Sequence, residues 1–158
     1  MMNIDLSEIE RKTVSVNQYL EGLDPRFRET FSINRQTYQP KLETMKQLKE
    51  VADRYVIVAF SAGWCKDCSV IISILALISE ATGLKVRIFG GLKKDPLSHS
   101  RKWRIPPSPP EVETFNVDRI PLVVVINKEG KEIGRVIEKP TRLPTLEEEL
   151  LEIAKCQQ

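Results

Sequence analysis

Two cysteines three positions apart, Cys65 and Cys68, stand in the run Trp64-Cys65-Lys66-Asp67-Cys68. Thiols at this spacing can exchange with a disulfide or share a metal ion. The run lies between two apolar stretches, with Ser61-Ala62-Gly63 before it, so the first sulfur falls at about the N-terminus of a helix. Unpaired backbone N–H groups and the positive end of the helix dipole favour a thiolate there, which makes Cys65 the candidate nucleophile. Cys68, one turn further on, can attack a mixed disulfide from within and release the reduced partner, the resolving role. Lys66 and Asp67 bring opposite charges whose effects on Cys65 oppose each other.

The elements that must hold this pair are legible around it. Tyr55 to Phe60 is a continuous apolar run rich in β-branched and aromatic residues, as in a strand buried on both faces. Val70 to Ile78 continues past Cys68 and ends at Thr82-Gly83, the pattern of a buried helix with a glycine stop. Leu84 to Phe89 alternates as a second strand, which completes a right-handed strand, helix, strand unit. Leu122 to Ile126 is a third buried strand. The turn Asn127-Lys128-Glu129-Gly130-Lys131 leads into an antiparallel partner at 133–137, and an acidic amphipathic helix covers 146–154.

Upstream, residues 3–53 predict helices broken at Asp24-Pro25 and near Tyr38-Gln39-Pro40, the last an amphipathic helix over 41–54 carrying Leu42, Met45, Leu48 and Ala52. Between residues 90 and 117 the texture changes. Five of the ten prolines fall there, and 85–104 holds seven basic residues against one Asp, as in an ordered or semi-ordered insertion loop.

Composition bounds the rest. A chain of 158 residues, 41% apolar and 29% charged, is one domain's worth of material with enough apolar side chains for a core. Three cysteines are too few, and odd in number, for a disulfide scaffold. A net charge of +2 makes no global demand for nucleic acid or an anionic membrane. There is no apolar run of membrane-spanning length, and Met1-Met2-Asn3-Ile4-Asp5-Leu6 has neither the basic head nor the apolar core of a secretory signal, so the expected setting is a reducing cytoplasm with no membrane partner.

The WCxxC run, the buried strand before it and Ile120-Pro121 before another strand together resemble the thioredoxin-like family over roughly residues 41–156. The resemblance implies an α/β thioredoxin-like fold, with a central mixed sheet of about four strands flanked by helices. The domain would cover 41–158, behind an N-terminal helical extension at 1–40. It also implies that Pro121 is a cis-proline beside the dithiol, that its crowding would hinder metal capture, and that Ile120 offers backbone groups to an extended substrate segment. Trp64 would belong to the docking surface. The implied activity is thiol-disulfide exchange on a disulfide-containing protein or small molecule, fed by an electron-donating reductase and needing no cofactor.

Some residues depart from the family. A thioredoxin proper carries Gly-Pro between its cysteines, where this chain has Lys66-Asp67, and Thr after the cis-proline, where it has Leu122. The buried Asp six positions before the first cysteine is here Ala59. Without that carboxylate the resolving thiol lacks its usual proton acceptor, and Asp67 or water has to serve, or turnover is slower.

Other readings of the same residues stand beside this one. CxxC is also half of a zinc site, which Cys156 and His99 alone could complete, while Ser69 in place of His excludes c-type haem attachment. A thioredoxin-like domain can keep its cysteines and serve as an interaction module without redox turnover. Lys93, Lys94, Arg101, Lys102 and Arg104 around Trp103 superficially suit nucleic acid, but such patches are more often solvated faces, whose charge the acidic helix Glu147-Glu148-Glu149 would balance, or selectors of an acidic protein partner. His99 reads as a solvated loop residue and Cys156 as a passive thiol.

Overall fold

The computed structural model describes residues 3–94, 96–97, 103 and 108–156. Seven helices and five strands run in the order α1 (Leu6–Lys12), β1 (Val14–Ser15), α2 (Val16–Glu21), α3 (Pro25–Thr37), α4 (Leu42–Val51), β2 (Tyr55–Phe60), α5 (Lys66–Thr82), β3 (Lys85–Phe89), α6 (Glu111–Thr114), β4 (Leu122–Asn127), β5 (Glu132–Ile137) and α7 (Leu146–Lys155) among these residues. No helix among them is long and apolar enough to cross a membrane.

The strands form one mixed sheet in the order β1-β3-β2-β4-β5. β2 and β3 are parallel, and the other three pairings are antiparallel. The strand count is five rather than about four, because β1 is only two residues long. Val14 and Ser15 carry no alternation that marks a strand, and only their pairing with Ile88 and Arg87 reveals one. The first 40 residues thus hold three helices and an edge strand of the sheet.

β2 is buried at every position, as its unbroken apolar run requires of a strand covered on both faces. α5 packs against α3, α4 and α7 and, with Val70 exposed, buries Cys68, Ile71, Ile72, Ile74, Leu75, Ala76 and Ile78 before stopping at Gly83. Its serines are not solvent-facing either. Ser73 Oγ donates to the Phe31 carbonyl at 2.8 Å, and Asn34 Nδ2 donates to Ser69 Oγ at 3.0 Å, so they fasten α5 to α3. Phe60 and Phe89 stack at 4.8 Å on adjacent strand ends, with Phe115 against both. Lys12 of α1 reaches Glu111 of α6 at 2.8 Å.

Register decides where a site can form. Phe60, the last residue of β2, lies beside Phe89, the last of β3, and beside Leu122, the first of β4. The segments after β2, after β3 and before β4 therefore emerge together at one end of the sheet.

The acidic start of α7 is not the solvated face its composition suggests. Glu147 and Glu149 are buried. Glu147 accepts from the Tyr38 hydroxyl at 2.6 Å and the Lys41 N–H at 2.8 Å. Glu149 accepts from the N–H groups of Thr141, Arg142 and Leu143.

Candidate functional site

Cys65 is the N-cap of α5, with extended backbone at φ −84° and ψ 118°. Its Sγ accepts from the Cys68 N–H at 3.2 Å, filling the place a Ser or Asp oxygen takes in an ordinary cap. The helix begins one residue later than the sequence suggests, and that single residue turns the sulfur into the cap. Cys65 is 9% exposed and Cys68 is fully enclosed, so one sulfur reaches the surface and the other stays beneath it. Both are free thiols.

The two sulfurs are driven apart in acidity. The hydrogen bond from the Cys68 side chain does most to lower the Cys65 thiol; burial opposes it and the Cys68 N–H adds to it. The Asp67 charge raises Cys65 by less than these, so the intervening dipeptide does not overturn the helix-end effect. Burial pushes the Cys68 thiol far up, and the neighbouring Cys65 sulfur pushes it further. Of the two, the outer sulfur thus gives up its proton more readily and the inner one keeps its proton more firmly.

Ile120 and Pro121 arrive from the start of β4, as the register requires. The Ile120–Pro121 bond is cis, and the Cys65 thiol points at the Ile120 carbonyl oxygen at 3.9 Å. Both residues are buried. Leu122, where a thioredoxin has Thr, is the first core residue of β4. Trp64 is half-exposed and stacks on Trp103 with ring centroids 6.1 Å apart, next to the dithiol. Trp103 itself is buried and donates its indole N–H to the Asp118 carbonyl at 2.6 Å. It is therefore a packed ring under Trp64, not an exposed face for a nucleobase. Lys93 and Lys94 are exposed, while Arg101, Lys102, Arg104 and His99 lie outside the described residues.

Three contributions escaped the sequence. Tyr19 of α2 and Phe27 of α3 press on the loops that carry the site. A Cβ on Gly90 would lie 2.8 Å from the Tyr19 ring and one on Gly63 2.9 Å from the Phe27 ring, so both positions need glycine for this approach. Ser61, wholly buried just after β2, shares a 2.8 Å hydrogen bond with the Tyr19 hydroxyl. No local motif marks any of them, because they meet the dithiol only through packing.

Among the described residues no group of three or more His, Cys, Asp or Glu side chains is placed to hold a metal ion. Cys156 ends α7 and is exposed, on a wall shared with residues of β5. What the arrangement can do chemically is offer one thiol whose ionised form is favoured near the surface, with a second thiol enclosed behind it.

Comparison with curated proteins gives no match. Two solved structures share the fold over nearly the whole chain. One is a protein of unknown function from Pseudomonas aeruginosa, 16% identical, covering 100% of both chains with a TM-score of 0.74. The other is an HIV epitope scaffold, 15% identical, covering 95% of this chain and 97% of its own with a TM-score of 0.70. A thioredoxin family profile matches residues 13–151, from the edge strand β1 into α7. With that match over most of its length, and with cysteines at CxxC spacing on a mixed sheet, the chain belongs to the thioredoxin family.

Proposed function

We propose that the protein is a thiol-disulfide oxidoreductase acting on disulfides in proteins or small molecules. Cys65 attacks the substrate disulfide, and Cys68 resolves the mixed disulfide. Ile120-Pro121 and Trp64 bound the surface where the substrate segment lies. The observation that carries this reading is the asymmetry of the pair, a sulfur that caps α5 and whose pKa is lowered in front of a wholly buried sulfur whose pKa is raised. The Ile120 backbone, held beside Cys65, is placed to pair with an extended segment. An electron-donating reductase or a small dithiol returns the pair to its reduced form.

Disulfide reduction with a dithiol donor tests the assignment. The wild type turns over, Cys65→Ser loses turnover entirely, and Cys68→Ser accumulates a covalent adduct with its substrate. A wild type with no turnover under any donor, which captures the same partner as Cys65→Ser does, means that the domain is an interaction module instead.

A further inference from the structure

The carboxylate that serves the resolving thiol in a thioredoxin is replaced here by Ala59, which is wholly buried in β2. Asp67 does not stand in for it, because its side chain is exposed while Cys68 is enclosed. In the segment just after β2, the wholly buried Ser61 hydroxyl and the Ala62 N–H are the groups that draw the raised Cys68 thiol back down. Behind Ser61, at 2.8 Å, stands the Tyr19 hydroxyl, and either of the two oxygens can be the donor. Tyr19 in turn forms part of the wall of a largely apolar groove of about 500 Å³ beside the dithiol, shared with Leu23, Phe27, Gly63 and Gly90. A buried pair of hydroxyls, Ser61 and Tyr19, thus stands between the enclosed thiol and the residue that lines the groove.

We propose that Ser61 is a catalytic residue of the resolving step, passing the Cys68 proton outward, and that Tyr19 is the positioning residue that orients and relays for it. The inference rests on the dithiol reading above. As Cys68 attacks, its thiol proton passes to Ser61 Oγ while the Ser61 proton passes to Tyr19 Oη and the phenolic proton leaves to water in the groove. The Cys68 electron pair forms the bond to Cys65 Sγ. The bond between Cys65 and the partner's sulfur breaks, and the departing thiolate takes a proton from solvent. The dithiol is oxidised by two electrons, and the substrate disulfide is reduced by two. Neither hydroxyl needs to become an ion, which suits a buried site, since burial holds the Tyr19 phenol protonated. The titratable groups that act on this path are Cys65 and Tyr19, with Asp67 acting on Cys65.

The test uses 5,5′-dithiobis(2-nitrobenzoate) on the full chain carrying Cys156→Ser, which removes the exposed third thiol. The first thionitrobenzoate released reports the attack by Cys65 and the second reports the attack by Cys68. Ser61→Ala should leave the first release unchanged, which also certifies the fold, and slow the second by about tenfold or more, the size of a lost hydrogen bond to a charged group. Its pH midpoint should move to higher pH. Tyr19→Phe should slow the second release by about threefold, since it acts through Ser61. The proposal is overturned if the second release keeps its wild-type rate and pH midpoint in both variants, or if both releases slow by the same factor. A wild type that releases only one equivalent defeats the dithiol reading itself, and the proposal with it.

Discussion

α5 and α7 both begin with buried anionic capacity, and the two helix starts treat it oppositely. At α7, Thr145 caps the helix through the Glu148 N–H at 3.2 Å, and the carboxylates of Glu147 and Glu149 take five further donors from Tyr38, Lys41 and residues 141–143. Both Glu147 oxygens and Glu149 Oε1 are bound in this way, so they join the chain before α4 and the turn after β5 to the helix. At α5 the Cys65 sulfur takes one backbone N–H and sits near the surface, beside a carbonyl and an aromatic pair. Donors drawn from distant segments make an anion structural, and a lone backbone donor at a helix end leaves it free to react.

The sharpest way to break this comparison is selective alkylation at neutral pH. Cys65 should react at least about tenfold faster than Cys68, with an inflection below the free-thiol value of about 8.5. A Cys65 inflection at or above that value removes the basis for an activated nucleophile. Linkage gives the same test a thermodynamic form. Cys65 is an acid whose folded pKa lies below its unfolded one, so the stability it contributes is present above the unfolded value and is lost as pH falls through the folded value. Denaturant midpoints of wild type and Cys65→Ser should therefore diverge in favour of the wild type as pH climbs toward about 8.5. The raised Cys68 works the other way only at still higher pH.

On the structural side, Glu149→Ala strips the acceptor from three backbone N–H groups at once and should cost about 3 kcal/mol in urea unfolding, with Cys65 alkylation unchanged. If stability stays within about 0.5 kcal/mol, the buried carboxylate is not what holds the turn. The caps themselves should differ least. Thr145→Ala should cost about 1 kcal/mol, whereas Cys65→Ser, which keeps an acceptor at the cap, should change stability at pH 6 by less than about 0.5 kcal/mol.

Much of the site was legible locally. The spacing of Cys65 and Cys68, the apolar run of β2 before them and the glycine stop of α5 are all short-range signals, and periodicity reports such signals well. The basic and proline-rich stretch misled at Trp103, whose neighbours in sequence suggest an exposed aromatic and whose place in the fold is beneath Trp64. The Glu147-Glu148-Glu149 run gave no sign of its contacts, since composition cannot show that two of the three carboxylates face backbone donors from distant segments. Tyr19 and Ser61 left no trace, for they are 42 residues apart and become partners only across the fold.

The sequence by itself determined the elements and the dithiol, because hydrophobic period, helix ends and cysteine spacing act within a few residues of one another. Tertiary structure alone decided which thiol of the pair lies nearer the surface and which carbonyl stands beside it. It also decided that the N-terminal helices reach the end of the sheet that carries the dithiol. Those outcomes follow from strand order and register, which bring the ends of β2, β3 and β4 together, and no single segment carries that information.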